Sequence, residues 1–85
     1  MELSTLFNEA VINSKALSEK PSNDVLLQLY SLYKQSTEGD VNVDAPNNPF
    51  DFVAKAKFNA WEELKDKSKE TAMQEYVNLV TGLKG

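Results

Sequence analysis

An all-α domain of four helices is the fold that this 85-residue sequence predicts. Three observations carry that expectation. Apolar residues recur at spacings of three and four in four separate stretches. Those stretches are parted by Pro, Gly and Asn-rich breaks, and no stretch alternates apolar and polar residues with the period of a strand. With 41% hydrophobic and 26% charged residues the chain is globular rather than low-complexity. A chain of this size buries roughly 63% of its extended surface, enough for one core, so a single domain over residues 1–85 is expected.

The first helix is expected over 3–17, where Leu3, Leu6, Phe7, Ala10, Val11 and Leu17 fall on one face. Pro21 closes the connection after it, and Ser22 or Asn23 is a cap for a second helix through Val25, Leu26, Leu29, Leu32 and Tyr33 to about Thr37, which Gly39 stops. Residues 38–50 hold Gly39, Pro46, Asn47, Asn48 and Pro49, too many breakers for a regular element, and read as one long ordered loop. A third helix is expected over about 51–65 with Val53, Ala56, Ala60, Trp61 and Leu64 inward. The fourth begins at a Ser68 cap, has Glu70 in its first turn, and buries Ala72, Met73, Tyr76, Val77, Val80 and Leu83.

Composition removes most chemistry. With no Cys and no His, disulfides, thiol nucleophiles, the usual zinc sites and the Ser-His-Asp triad are excluded. Glu62 and Glu63 are adjacent on a helix and point apart, so they do not form an acid–base couple. No catalytic constellation remains, and no enzyme activity, cofactor or metal is expected. Asp40-Val41-Asn42-Val43-Asp44 opens like a calcium loop. It then places Ala45 where the turn needs Gly, Pro46 at the backbone-ligand position and Asp51 instead of the bidentate Glu. It reads as a loop whose Asp and Asn side chains bond nearby amides. All nine cations are Lys, against thirteen acids, for a net charge of −4, which speaks against nucleic acid as a partner. No apolar run approaches the roughly 18 residues of a membrane span, and Met1-Glu2-Leu3-Ser4 has no signal-peptide character, so a cytoplasmic protein with no membrane insertion is expected.

Two helices carry more than a core needs. On a wheel at about 100° per residue with Val25 at zero, the apolar arc of the second helix spans roughly 220°, and Lys34 falls inside it between Tyr30 and Leu27. In the third helix Lys57 lies near 40° with Val53 at zero, within a stripe running from about 300° through 80°. Singly, each Lys reads as a snorkelling core-edge residue and each of Tyr30, Tyr33 and Tyr76 as a half-buried packing residue. Together, they make a site offering ammonium groups, phenols and flat rings beside an apolar arc. Such a site suits a phosphorylated nucleotide carrying a hydrocarbon tail.

The run Leu32-Tyr33-Lys34-Gln35-Ser36-Thr37-Glu38-Gly39-Asp40-Val41-Asn42, then Lys55-Ala56-Lys57-Phe58-Asn59-Ala60-Trp61 and Ser68-Lys69-Glu70-Thr71-Ala72-Met73, resembles the acyl-CoA-binding protein family along essentially the whole chain. The resemblance implies a four-helix up-down-down-up bundle that is not an enzyme and binds long-chain fatty acyl-CoA esters as an intracellular, monomeric carrier. It implies ligand contacts at Lys15, Tyr30, Tyr33, Lys34, Lys57 and Tyr76. Tyr30, Lys34 and Lys57 would hold the 3′-phosphate, Tyr33 the adenine and Lys15 the remaining phosphates, while Tyr76 would complete the head-group pocket. Leu26, Leu27 and Leu29 are then candidates for the acyl groove. Three departures from the family pattern are Val53 where many members have Lys, Phe58 where Trp is usual, and a loop one residue longer around Asn47-Asn48-Pro49-Phe50. The competing reading is a helical interaction module that docks a partner helix in the same groove. Lysines inside the groove favour the carrier.

Overall fold

The computed structural model describes residues 2–84. Four helices follow one another: α1 (Leu3–Lys15), α2 (Asn23–Glu38), α3 (Phe52–Glu62) and α4 (Lys69–Lys84), with no strand among the described residues. α4 packs on both α1 and α2, and α3 packs on α2, so α2 touches two partners on different sides. That explains the wide apolar arc of its sequence. The core where α1, α2 and α4 meet consists of Phe7, Ala10, Leu29, Leu32, Ala72, Tyr76 and Val80. Its aromatic centre is Phe7, edge-on to Tyr76 at 5.1 Å between centroids and near-parallel to Tyr33 at 6.0 Å.

Side-chain caps set the starts of α2, α3 and α4, those at Ser22 and Ser68 as expected and that at Asp51 as a finding of the structure. The Ser22 hydroxyl accepts from the Val25 amide, the Asp51 carboxylate from the Ala54 amide, and the Ser68 hydroxyl from the Thr71 amide at 3.0 Å. Two ends differ from expectation. α1 stops at Lys15 rather than residue 17, with Ala16 closing it through a bond to the Asn13 carbonyl. α3 stops at Glu62 rather than near 65, because residues 63–66 wind into successive tight turns and Asp66 takes φ 74°. Only part of the expected apolar stripe of α3 is inward. Trp61 is buried and Ala56, Ala60 and Leu64 are half-buried, whereas Val53, on the first turn, is exposed together with Phe52.

The long loop begins at Gly39, whose φ of 83° ends α2 in a conformation that favours glycine. It is tied down by side chains. The Trp61 indole N–H donates to the Gly39 carbonyl at 2.9 Å, and the Gln35 amide donates to Asp40 Oδ1 at 2.9 Å and to the Lys67 carbonyl at 2.7 Å. Asp40 Oδ1 also accepts from the Asp66 amide at 2.8 Å. The Asp40 carboxylate is therefore turned to the α3–α4 turn. The same bonds hold its pKa below the usual carboxylate value, the Gln35 bond contributing most.

Candidate functional site

The outer side of α2 collects the side chains singled out in the sequence. Tyr30 and Tyr33 project between α1 and α4, where they line a depression of about 360 Å³ with Val11, Ser14, Lys15, Leu29 and Tyr76. Lys15 reaches it as the last residue of α1. The Tyr76 ring is the floor: it is only 4% exposed, and its hydroxyl donates to Ser14 Oγ at 3.1 Å while Ser14 donates to the Val11 carbonyl at 2.7 Å. Burial pushes the Tyr76 phenol up, so it is a neutral donor and wall at physiological pH.

On the other side of Tyr30, α2 and α3 enclose a second depression of about 360 Å³ lined by Asn23, Leu26, Leu27, Phe52, Val53, Ala56 and Lys57. It is mostly apolar, and at its edge the Lys57 ammonium lies over the Tyr30 ring, 5.2 Å from the centroid. Tyr30 and Lys57 together also border a recess with Phe58 and Trp61 under the long loop. The Lys34 ammonium lies over Trp61 at 5.2 Å and is paired with Glu38 one turn on. The Glu38 carboxylate raises the Lys34 pKa and is itself lowered by it, so both stay charged near neutrality.

Thus the structure brings Lys15, Tyr30, Tyr33 and Tyr76 into one depression, and joins it through Tyr30 to Lys57 and through the Trp61 recess to Lys34. Of the three leucines, Leu26 and Leu27 share the apolar depression with α3. Leu29 is separate from them, in the core beneath Tyr30 and Tyr33. Two residues of the arrangement escaped the sequence reading. Phe52, at the mouth of the apolar depression, lies just ahead of the stripe that the wheel followed. Glu38 was read only as part of a family string, although its position four after Lys34 is the signal of a helical pair. Among the described residues no helix is long and apolar enough to cross a membrane, and no three acids gather to hold a metal.

Residues 4–80 match the family described as Acyl CoA binding protein. The chain is 52% identical over 75 residues to an acyl-CoA-binding protein of Dictyostelium discoideum, covering 88% of each. The chain belongs to the acyl-CoA-binding protein family. Its backbone superimposes on the crystal structure of acyl-CoA-binding protein 2 of Oryza sativa with a TM-score of 0.90 at 38% identity, over 96% of this chain and 90% of the other. The all-α bundle that the resemblance implied is therefore the fold of the family. A further relative, enoyl-CoA delta isomerase 2 of Rattus norvegicus, is 49% identical over 77 residues. The chain spans only 19% of that enzyme, so the likeness is to one segment of it and confers no isomerase activity here.

Proposed function

We propose that the protein binds long-chain fatty acyl-CoA esters and works, without catalysis, as a monomeric cytoplasmic carrier that maintains a pool of them. The observation that carries this reading is the adjacency of two unlike depressions along α2. One is rimmed by three phenols and the Lys15 ammonium, the other is mostly apolar with Lys57 at its edge, and the Lys57–Tyr30 contact joins them. A ligand with a phosphorylated nucleotide at one end and hydrocarbon at the other fits both at once. Membership of the family supports the same ligand.

In this reading Lys34, Lys57 and Tyr30 hold the 3′-phosphate, since ammonium and phenol donors make charge-assisted bonds to it. Tyr33, 41% exposed and parallel to Phe7, offers a ring already backed by a second ring for the adenine. Lys15 faces the remaining phosphates from the end of α1. Tyr76 and Leu29 form the floor, and the acyl chain lies against Leu26, Leu27, Phe52, Val53 and Ala56. The deciding experiment is calorimetric titration with palmitoyl-CoA and, separately, palmitate. Palmitoyl-CoA binds at a stoichiometry of one and palmitate binds far more weakly, because the polar contacts address the nucleotide. Equal affinity for both would overturn the reading, and no binding of either would leave the helix-docking alternative.

A further inference from the structure

Lys34 makes two contacts at once: its ammonium meets Glu38 Oε2 and also lies over the Trp61 ring. As a device for helix stability the pair is poorly built. Glu38 is the last residue of α2, where a carboxylate faces the negative end of the helix dipole, and the last turn carries no cation to compensate. The order is also the weaker one, since a Glu four residues before a Lys stabilises a helix better than the reverse. The two side chains are 29% and 37% exposed, so an incoming anion can reach the ammonium and separate them. An exposed ion pair of this kind is weak, and a phosphate monoester, with about −1.5 to −2 charge near pH 7, outbids a single carboxylate for the same cation.

We propose that Glu38 is a displaceable internal counter-ion: it holds Lys34 over Trp61 before the ligand arrives, yields it to the ligand's 3′-phosphate, and recaptures it on release. The inference rests on the acyl-CoA reading of this site. Its consequence is kinetic as well as thermodynamic. Glu38 competes with the ligand for the cation, so it lowers affinity chiefly by speeding dissociation. For a carrier, which has to give its ligand up, such a competitor is an advantage. Glu38 acts only through Lys34 and is a positioning residue with no bond to the ligand.

The test compares wild type, Glu38→Gln, Lys34→Ala and the double variant against palmitoyl-CoA and its analogue without the 3′-phosphate. Glu38→Gln tightens palmitoyl-CoA binding about two- to fivefold, the range of an exposed ion pair, and slows dissociation in proportion. It leaves the dephospho analogue unchanged and does nothing in the Lys34→Ala background. Trp61 is the single tryptophan, so its emission reports Lys34 directly. Ligand-free Glu38→Gln differs from wild type in that emission, and palmitoyl-CoA removes the difference. Thermal unfolding of Glu38→Gln stays close to that of wild type, because an exposed ion pair contributes little to stability, which separates the effect from folding. Unaltered or weaker binding of palmitoyl-CoA overturns the proposal, as does an equal gain for both ligands or a gain that survives in the double variant. Failure of the wild type to bind palmitoyl-CoA removes the parent reading as well, whereas wild-type binding with an unaltered Glu38→Gln removes only this one.

Discussion

Two sides of α2 teach opposite lessons about polar groups. On the side turned to the long loop and the α3–α4 turn, Gln35 is fully buried and its amide nitrogen is bonded twice, to Asp40 and to the Lys67 carbonyl, while Trp61 closes the same junction through Gly39. On the side turned outward, Tyr30, Tyr33 and Lys34, met by Lys57 of α3, hold only ring contacts and one exposed ion pair. Burial makes the first set structural, because removing a partner leaves a desolvated group unpaired. Exposure makes the second set available, because its donors have no partner whose loss is costly. One helix therefore anchors the long loop with one side and presents a binding face with the other.

The largest effect that divides the sides is expected at Gln35. Gln35→Ala removes two partly buried hydrogen bonds, one to a carboxylate, and leaves a cavity, which costs about 2–3 kcal/mol of stability. Urea unfolding measures it, and the folded variant keeps palmitoyl-CoA affinity within about threefold because no ligand contact is assigned to Gln35. The reverse is expected of Lys34→Ala. A charge-assisted phosphate contact is worth about 1.5–3 kcal/mol, so affinity falls roughly tenfold or more while helical content and the unfolding midpoint barely move. A stability loss at Lys34 comparable to that at Gln35 would erase the distinction between the sides.

The same contrast explains what the sequence made legible. Apolar spacing locates α1 to α4, and Ser22 and Ser68 mark two starts, because periodicity and capping are local properties. Lys34 and Lys57 stand out for the same reason: a cation inside an apolar arc is visible on a wheel. The Gln35 junction was not legible, since a polar residue beside Lys34 gives no sign that its partners lie at Asp40 and Lys67, the latter 32 positions away. The early end of α3 was hidden too. Asp66 enters the left-handed region without a glycine to announce it, held there by the Asp40 carboxylate across the fold. The helical wheel sets Leu29 with Val25, Leu32 and Tyr33 on the packing side and Leu27 on the other, yet the resemblance groups Leu26, Leu27 and Leu29 in the acyl groove. The packing of α4 on α2 keeps Leu29 in the core.

That separation of the leucines can be sharpened by chain length. Each methylene leaving water contributes up to about 0.8 kcal/mol, so affinity is expected to climb from acetyl- through octanoyl- to palmitoyl-CoA. Leu27→Asn replaces part of the apolar wall with an amide that the tail cannot bond, which costs palmitoyl-CoA about 1 kcal/mol and leaves acetyl-CoA nearly unaffected. Calorimetry with the three esters on both proteins measures the two slopes. Parallel slopes would place the tail away from α2 and α3.

The smallest effect is expected at Asp40, and its sign follows from the direction of its shift. The Gln35 and Asp66 bonds lower the folded-state pKa below the ordinary value of 3.8, so the unfolded chain takes up a proton first as pH falls. The stabilisation is therefore complete above that ordinary value and is lost progressively as pH drops through the folded pKa. Glu38 shifts in the same direction, so an acid titration of wild type alone would mix the two. Asp40→Asn separates them. Its side-chain oxygen still accepts from Gln35 and from the Asp66 amide, but it carries no charge and does not titrate. The difference in urea midpoint between wild type and Asp40→Asn is expected to favour wild type at pH 7. It should shrink toward zero as the pH is taken below 3.8, where protonated Asp40 and Asn are near-equivalent. A difference that is constant across this window would mean that the charge of Asp40 contributes nothing and that the junction is held by neutral hydrogen bonds alone.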